Sequence, residues 1–382
     1  MKFAHIGDCH LGGWSQPELR DLNLKSFQKA IDYSIKEKVD FLIITGDLFD
    51  TAYPPIEIIK EAFSEFRKLK ESNIPVFLIA GSHDFSASGR TFLEVLEKAG
   101  FCKNVALYTE HQGSILLQPT IYKNVVLYGY PGKKSGLEVQ EITRIKLDEA
   151  PGFFRILMLH TAIRDAVGTL PIEAVEDKKL PTVEYLALSH LHINYSKNGK
   201  VYSGPTFPNN IQELEELQGG SFYIFDNGKI RREELKIKKI QIINVEIKNA
   251  FKATEDIISV IEQENINDKI IILKISGILE QGEVSNIDFS AIEARIKKKG
   301  AYTFLKSTSR LYQAEADQQI EAIDANSLEQ EIINIMANKN QNKFTQFIHP
   351  LFNTLSIQQI EDEKISIFED RVYTEAKKIL FA

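Results

Sequence analysis

An α/β layered fold, with a smaller α+β unit and a C-terminal helical segment after it, is predicted by three observations. Apolar strand-like runs alternate with helical patterns over residues 1–228, and alternating β and α segments build layered sheets. Five of those runs end in Asp or His. The texture then changes near residue 238 and again near 311. These changes set the expected boundaries at 1–237, 238–310 and 311–382, within what a chain of 382 residues can hold.

The first run, Lys2–Ile6, leads into Asp8-Cys9-His10. Leu22, Phe27, Ala30, Ile31, Ile35 and Val39 then approximate one helix face. Phe41–Ile44 is a short apolar run that stops at Gly46, just before Asp47 and Asp50. Such a run reads as a buried strand, and its carboxyl end is where α/β proteins bind ligands. Pro54-Pro55 opens a second helix carrying Ile56, Ile59, Ala62, Phe63, Phe66 and Leu69. Residues 75–80 run into Gly81-Ser82-His83-Asp84, and Phe92, Leu93, Val95 and Leu96 mark a third helix. Residues 155–159 run into His160, and Tyr185–Ser189 into His190-Leu191-His192. Further strands are expected at 124–128 and 221–225, with a turn at 226–229.

Beyond residue 238 the pattern gives strands at 240–247 and 269–275, helices at 254–264 and 289–299, and an extended stretch at 301–305. From 311 the chain is acidic and rich in Gln and Asn. Ser327-Leu328-Glu329-Gln330 is a capping box for a helix with Ile332, Ile333 and Met336. Ile365, Phe368, Val372, Ala376 and Ile379 mark the last helix, and Phe344, Phe347, Ile348, Leu351, Phe352 and Leu355 crowd the stretch between. That apolar surface either folds back on the main domain or docks a partner.

The net charge of −7 argues weakly against a nucleic-acid binder. Its distribution tempers this: 229–310 carry a local +4, 311–382 a local −6 and 1–228 the remaining −5. A cation-binding site would account for part of that last excess. Cys9 and Cys102 make no disulfide framework, which fits a reducing cytoplasm. The N-terminus does not read as a signal peptide, and no run approaches the ~18 apolar residues of a membrane span.

Five of the eight histidines, His10, His83, His160, His190 and His192, sit at strand ends beside Asp8 and Asp47. Imidazole with carboxylate suits Mn, Fe or Zn. At least six N/O ligands are too many for one tetrahedral ion. Two metals about 3.5–4 Å apart would clamp the attacking and leaving oxygens of a phosphate ester, with central Asp47 as bridge. Asp8 and His10, like His190 and His192, are spaced to share one side of an extended segment. His5 reads as a core residue, and His111 and His349 have no ligand-type neighbours.

Asp8-x-His10, Gly46-Asp47-x-x-Asp50, Gly81-Ser82-His83-Asp84, His160 and His190-x-His192, in that order, resemble the calcineurin-like metallophosphoesterases. Within that superfamily the chain is similar to the SbcD-type DNA repair exonucleases, which include the archaeal meiotic-recombination-eleven nuclease. The closer likeness rests on residues 3–12, on Gly46-Asp47-Leu48-Phe49-Asp50 and on Gly129-Tyr130-Pro131. The resemblance implies a β-sandwich flanked by helices over 1–237 and a DNA-contacting capping domain over 238–310. A linker and helices follow over 311–382, of which 325–382 would bind an SMC-like coiled-coil ATPase. It implies that Asp8, His10, Asp47 and His192 hold a first divalent metal, and that Asp47, Ser82, His160 and His190 hold a second, Mn2+ being usual in the family. His83 would donate a proton to the leaving group and Asp50 would orient His83. Homodimers through helices of the first domain are also implied, with 22–39 and 56–70 as candidates. The pattern calls for Asn where this chain has Ser82, so the second metal is expected to bind more weakly.

The expectation is a two-metal DNA nuclease subunit of a double-strand-break repair complex, hydrolysing phosphodiester bonds at 3′ ends and single-stranded sites with a metal-bound hydroxide. It would be cytoplasmic and nucleoid-associated. Lys133, Lys134, Lys297, Lys298 and Lys299 are DNA-contact candidates. The alternatives are a stand-alone phosphodiesterase for small substrates, and a weakly active subunit that tethers DNA ends.

Overall fold

The computed structural model describes residues 1–86, 88–133, 138–313, 345–355, 357 and 365–381. Among them two six-stranded sheets share an inter-sheet core. The first runs Lys229–Leu235, Gly220–Asp226, Lys2–Ile6, Phe41–Ile44, Val76–Leu78, Lys103–Asn104. It is parallel from Lys2–Ile6 onward, with Gly220–Asp226 antiparallel beside it. The second runs Asn194–Lys197, Lys200–Ser203, Tyr185–Ser189, Phe154–His160, Val125–Tyr130, Thr120–Tyr122. Its four central strands are parallel.

Phe41–Ile44 shows why these strands are uniformly apolar. Phe41 and Ile43 face the inter-sheet core, while Leu42 and Ile44 face the helices. A strand covered on both sides loses the alternation of a half-exposed one. Helices Pro17–Lys36 and Ile56–Glu71 cover the outer face of the first sheet with Phe27, Ala30, Ile31, Ala62, Phe66 and Leu69. A three-stranded sheet (Tyr108–His111, Ser114–Leu117, Ile145–Leu147) and helix Glu138–Ile142 cover the second.

Residues 240–313 form a further three-stranded parallel sheet, Ile240–Glu246, Ile270–Leu279, Thr303–Gln313. Helices Ala250–Gln263 and Phe289–Lys298 cover one of its faces. On the other face Ile270, Ile272 and Leu305 pack against Trp14, Leu19, Leu22, Phe207 and Leu214 of the sandwich. Residues 1–313 make one compact unit.

The stretch expected at 301–305 becomes an eleven-residue strand, Thr303–Gln313. Its polar centre Ser307-Thr308-Ser309-Arg310 is extended because pairing of Ser307 and Arg310 with Lys274 and Ser276 holds it across an irregularity, which no apolar pattern announces. The hairpin Asn194–Lys197/Lys200–Ser203 also lacks an apolar pattern. It turns at Asn198-Gly199, both at positive φ, the usual sign of a tight hairpin.

The second unit, 314–382, contains helices Thr345–Leu355 and Ile365–Phe381. They pack on each other and leave Leu355 and Tyr373 exposed. The capping box at Ser327 and the apolar Phe344 lie outside the described residues. Among the described residues no helix is long and apolar enough to cross a membrane.

Candidate metal centre

The carboxyl ends of five parallel strands bring the candidate residues together. Lys2–Ile6 leads to Asp8 and His10, Phe41–Ile44 to Asp47 and Asp50, and Val76–Leu78 to Ser82, His83 and Asp84. Phe154–His160 ends in His160, and Tyr185–Ser189 leads to His190 and His192. The sheets are stitched at this edge: Asp8 Oδ1 and Oδ2 accept the His190 backbone N–H at 3.0 and 3.1 Å.

Five of these residues stand at positive φ: Asp8 (47°), His10 (43°), Asp47 (48°), His190 (105°) and His192 (53°). Such backbone is uncommon outside glycine and costs of order 1–3 kcal/mol per residue. It also corrects the sequence reading. Asp8 and His10 turn inward through left-handed backbone, not through the alternation of an extended segment. Gly46 (φ 102°) is required where the loops meet, since a Cβ there would stand 2.8 Å from Gly81 Cα.

Asp8, His10 and His192 place ligand-type atoms within 4.8 Å of one another, and so do Asp8, Asp47 and His160. In the first group His10 Nδ1 donates to Asp50 Oδ1 (3.1 Å) and His192 Nδ1 donates to Glu213 Oε1 (2.9 Å). With the rings neutral, as metal ligands are, each is left with its lone pair on Nε2. These two Nε2 atoms face each other at 3.0 Å. Two such lone pairs repel unless a proton or a cation stands between them, and two nitrogens about 90° apart on one ion at about 2.1 Å are about 3.0 Å from each other. In the second group His160 Nδ1 donates to the Thr45 carbonyl (3.0 Å). Its buried Nε2 lies 3.1 Å from Asp47 Oδ2, a contact that needs a proton or a cation between the two atoms. Asp47 Oδ2 is also 3.7 Å from His10 Nε2, so one carboxylate oxygen faces both groups. The donor set, with nitrogens that meet each other or a carboxylate, fits divalent cations.

Without a cation the rings take up protons instead. Burial opposes the charged form of Asp47, yet His160 and His10 hold it well below the usual carboxylate range. Burial lowers His160 and His192, but Asp47 and Asp8 raise the first, and Asp8 and Glu213 the second, each to about 9. Burial, then Asp47, pushes Asp84 up to about 7. A pocket this acidic demands positive charge.

His83 is half-exposed, and its Nδ1 donates to the backbone carbonyl of Asp50 (2.9 Å). Asp50 Oδ1 lies 3.9 Å from that nitrogen. The carboxylate of Asp50 thus serves His10, where the sequence reading gave it to His83. Ser82 Oγ approaches Asp47 Oδ2 at 3.5 Å. His190 is exposed at the rim, its ring 5.1 Å from that of His160. Lys133 Nζ is paired with Glu141 Oε1 (2.7 Å) and Lys297 Nζ with Glu293 Oε1 (2.7 Å). Lys299 Nζ donates to the carbonyls of Ile261 and Glu262, Lys298 closes its helix, and Lys134 lies outside the described residues.

Three supporting residues escaped the sequence reading. Glu213 holds His192. Asn209 Nδ2 donates to Asp50 Oδ1 (3.3 Å). Buried Asp84 accepts backbone N–H from Leu48, Phe49 and Gly81 (3.3, 3.1 and 2.9 Å), tying the Asp47 loop to the Ser82 loop. A legible sign existed for Glu213 alone, in Asn210-x-x-Glu213, a helix start in which Asn210 Oδ1 accepts Glu213 N–H.

Comparison with known proteins matches residues 1–194 to the family described as calcineurin-like phosphoesterase. The DNA double-strand break repair protein Mre11 of Methanococcus maripaludis is 28% identical over 271 residues, 65% of this chain and 68% of that one. The Mre11 protein of Archaeoglobus fulgidus is 28% identical over 220 residues, 54% of this chain and 49% of that one. The Mre11 protein of Sulfurisphaera tokodaii is 29% identical over 273 residues, 66% and 65% of the two chains. The match thus spans about two thirds of the first and third relatives and about half of the second.

Proposed function

The chain belongs to the calcineurin-like phosphoesterase family, and from that premise we propose that it is a two-metal DNA nuclease of double-strand break repair. The observation that carries this is the meeting of His10 Nε2 and His192 Nε2 at 3.0 Å, next to His160 Nε2 at 3.1 Å from Asp47 Oδ2, contacts that call for a proton or a cation between the atoms. The relatives named as repair proteins supply the substrate class. Asp8, His10, Asp47 and His192 would hold one divalent ion, and Asp47, Ser82, His160 and His190 the other, with Mn2+ as the proposed metal. When bound, such ions supply an activated water at neutral pH and a charge clamp on the phosphate.

The protein's own groups do the rest. Asp50 and Glu213 fix the tautomers of His10 and His192, as carboxylates commonly do for metal-ligating histidines. His83, with Nδ1 committed to the Asp50 carbonyl, presents Nε2 to solvent and can deliver a proton from it to a departing oxygen. The separate capping role of 238–310 and contacts of Lys133, Lys134 and Lys297–Lys299 with phosphates are part of the proposal. So are a homodimer through the first-domain helices and binding of an SMC-like coiled-coil ATPase by 325–382.

The test is digestion of linear duplex and of single-stranded DNA with added Mn2+. Turnover of a nitrophenyl phosphodiester with no action on DNA would instead give a small-substrate phosphodiesterase. DNA binding without cleavage would give a tethering subunit.

A further inference from the structure

Both facing histidines are aimed by one short stretch of chain, residues 208–217. Glu213 uses both carboxylate oxygens: Oε1 accepts from His192 Nδ1 (2.9 Å) and Oε2 from Asn209 N (2.8 Å). Asn209 Nδ2 in turn donates to Asp50 Oδ1 (3.3 Å), the oxygen that accepts from His10 Nδ1. The stretch has little play. Trp14 Nε1 donates to the Pro208 carbonyl (2.8 Å), and a Cβ on Gly13 would stand 2.9 Å from Asp50 Oδ1 and collide with Asn209 Oδ1.

The other side of the same stretch belongs to the capping sheet. Asn210 caps helix Ile211–Leu217. Leu214 of that helix is buried with Ile270, Ile272 and Leu305 of the capping sheet. One residue on, Glu215 Oε2 accepts from Lys274 Nζ at 2.7 Å. Lys274 sits at the irregularity where Ile270–Leu279 slips in register against its neighbour.

We propose that residues 208–217 couple the capping sheet to the first metal site, with Glu213 as the positioning residue that carries the coupling to His192. The proposal rests on the reading that Asp8, His10 and His192 bind a metal. A displacement of the capping sheet moves Leu214 and Glu215, and the helix carries Glu213 with them. Because a carboxylate behind a ligating histidine sets its orientation and basicity, the capping sheet's position is then written into metal affinity. Reciprocally, metal at the first site favours the docked capping sheet, as linkage requires.

The experiment is calorimetric titration of the full chain with Mn2+ alone, together with the melting temperature of the metal-free protein. Glu213→Gln keeps the shape and removes the charge, and it weakens the tighter site by about 10- to 100-fold. Lys274→Met has no contact with the site, and it weakens the same site by about two- to tenfold. The exchanged pair Lys274→Glu with Glu215→Lys restores parental affinity. Lys274→Met that lowers the metal-free melting temperature but binds Mn2+ as the parent does would make this an ordinary structural ion pair and overturn the coupling. Glu213→Gln with parental affinity would overturn the positioning role. A parent that binds no Mn2+ would refute the metal-site reading itself, a distinguishable failure.

Discussion

Removing His83 separates proton delivery from metal binding. Its ring is half-exposed and donates Nδ1–H to the Asp50 carbonyl, while its backbone N–H, which alanine keeps, donates to Asp47 Oδ1. Losing one such bond at a half-exposed site costs about 1 kcal/mol or less of stability. His83 groups with His10 and Asp50, where its Nδ1 is taken up by the Asp50 carbonyl and His10 Nδ1 by the Asp50 carboxylate, so His83→Ala leaves Mn2+ affinity at the parental level. General acid catalysis supplies about 10²- to 10⁴-fold, equivalent to about 3–5 kcal/mol of barrier. The variant therefore loses cleavage by that factor while melting and metal binding barely move. The assay is steady-state cleavage of DNA and of a nitrophenyl phosphodiester by parent and variant. DNA expels an alkoxide that needs a proton, whereas nitrophenolate departs without one. The deficit should be large on DNA and small on the nitrophenyl ester. An equal deficit on both, or parental activity on DNA, would refute the assignment.

Three further predictions follow from other parts of the chain. Ser82 Oγ approaches Asp47 Oδ2 at 3.5 Å, so Ser82→Asn should tighten the weaker Mn2+ site about tenfold or more; two equally tight sites in the parent would show serine to be sufficient. His5 is buried between Tyr185 and Thr45, and burial lowers it to about 3. Below about pH 6.5 the unfolded chain takes up a proton that the folded chain refuses until about pH 3, so His5 costs stability as pH falls through that window, at most about 5 kcal/mol. His5→Gln should flatten the pH dependence of the urea midpoint between pH 4 and 7, and an unchanged slope would contradict it. A chain ending at Gln313, the boundary of the first compact unit, should keep Mn2+-dependent nuclease activity and lose co-purification with the coiled-coil ATPase. Unfolding of the shortened chain would point to fold-back of the C-terminal helices instead.

The strand ends were legible because buried parallel strands are short, continuously apolar runs, and the switch to Asp or His after Ile6, Ile44 and Ser189 is abrupt. What lies behind the ligands was not. Glu213 serves a histidine on another strand end through a helix, and only its place in a capping motif hinted at it. Asp84 acts by gathering backbone N–H groups from two loops, which side-chain spacing cannot reveal. That Asp50 meets His83 mainly through its backbone carbonyl was hidden for a related reason. His83 is nearer in the motif pattern, but the left-handed turn at His10 swings that ring onto the carboxylate and leaves His83 the carbonyl. Strand Thr303–Gln313 was underestimated because pairing, not composition, extends its polar half.

On the proposed function, Asp47 serves two cations that together cleave DNA. The most direct measurement is the number of Mn2+ ions bound per chain and the digestion of DNA in the same preparation, for the parent and for Asp47→Ala. The parent should bind two ions and digest DNA; Asp47→Ala, folded by circular dichroism, should retain neither ion and digest none. An Asp47→Ala protein that digests DNA at the parental rate, or a parent that digests DNA without any bound divalent ion, would contradict the account.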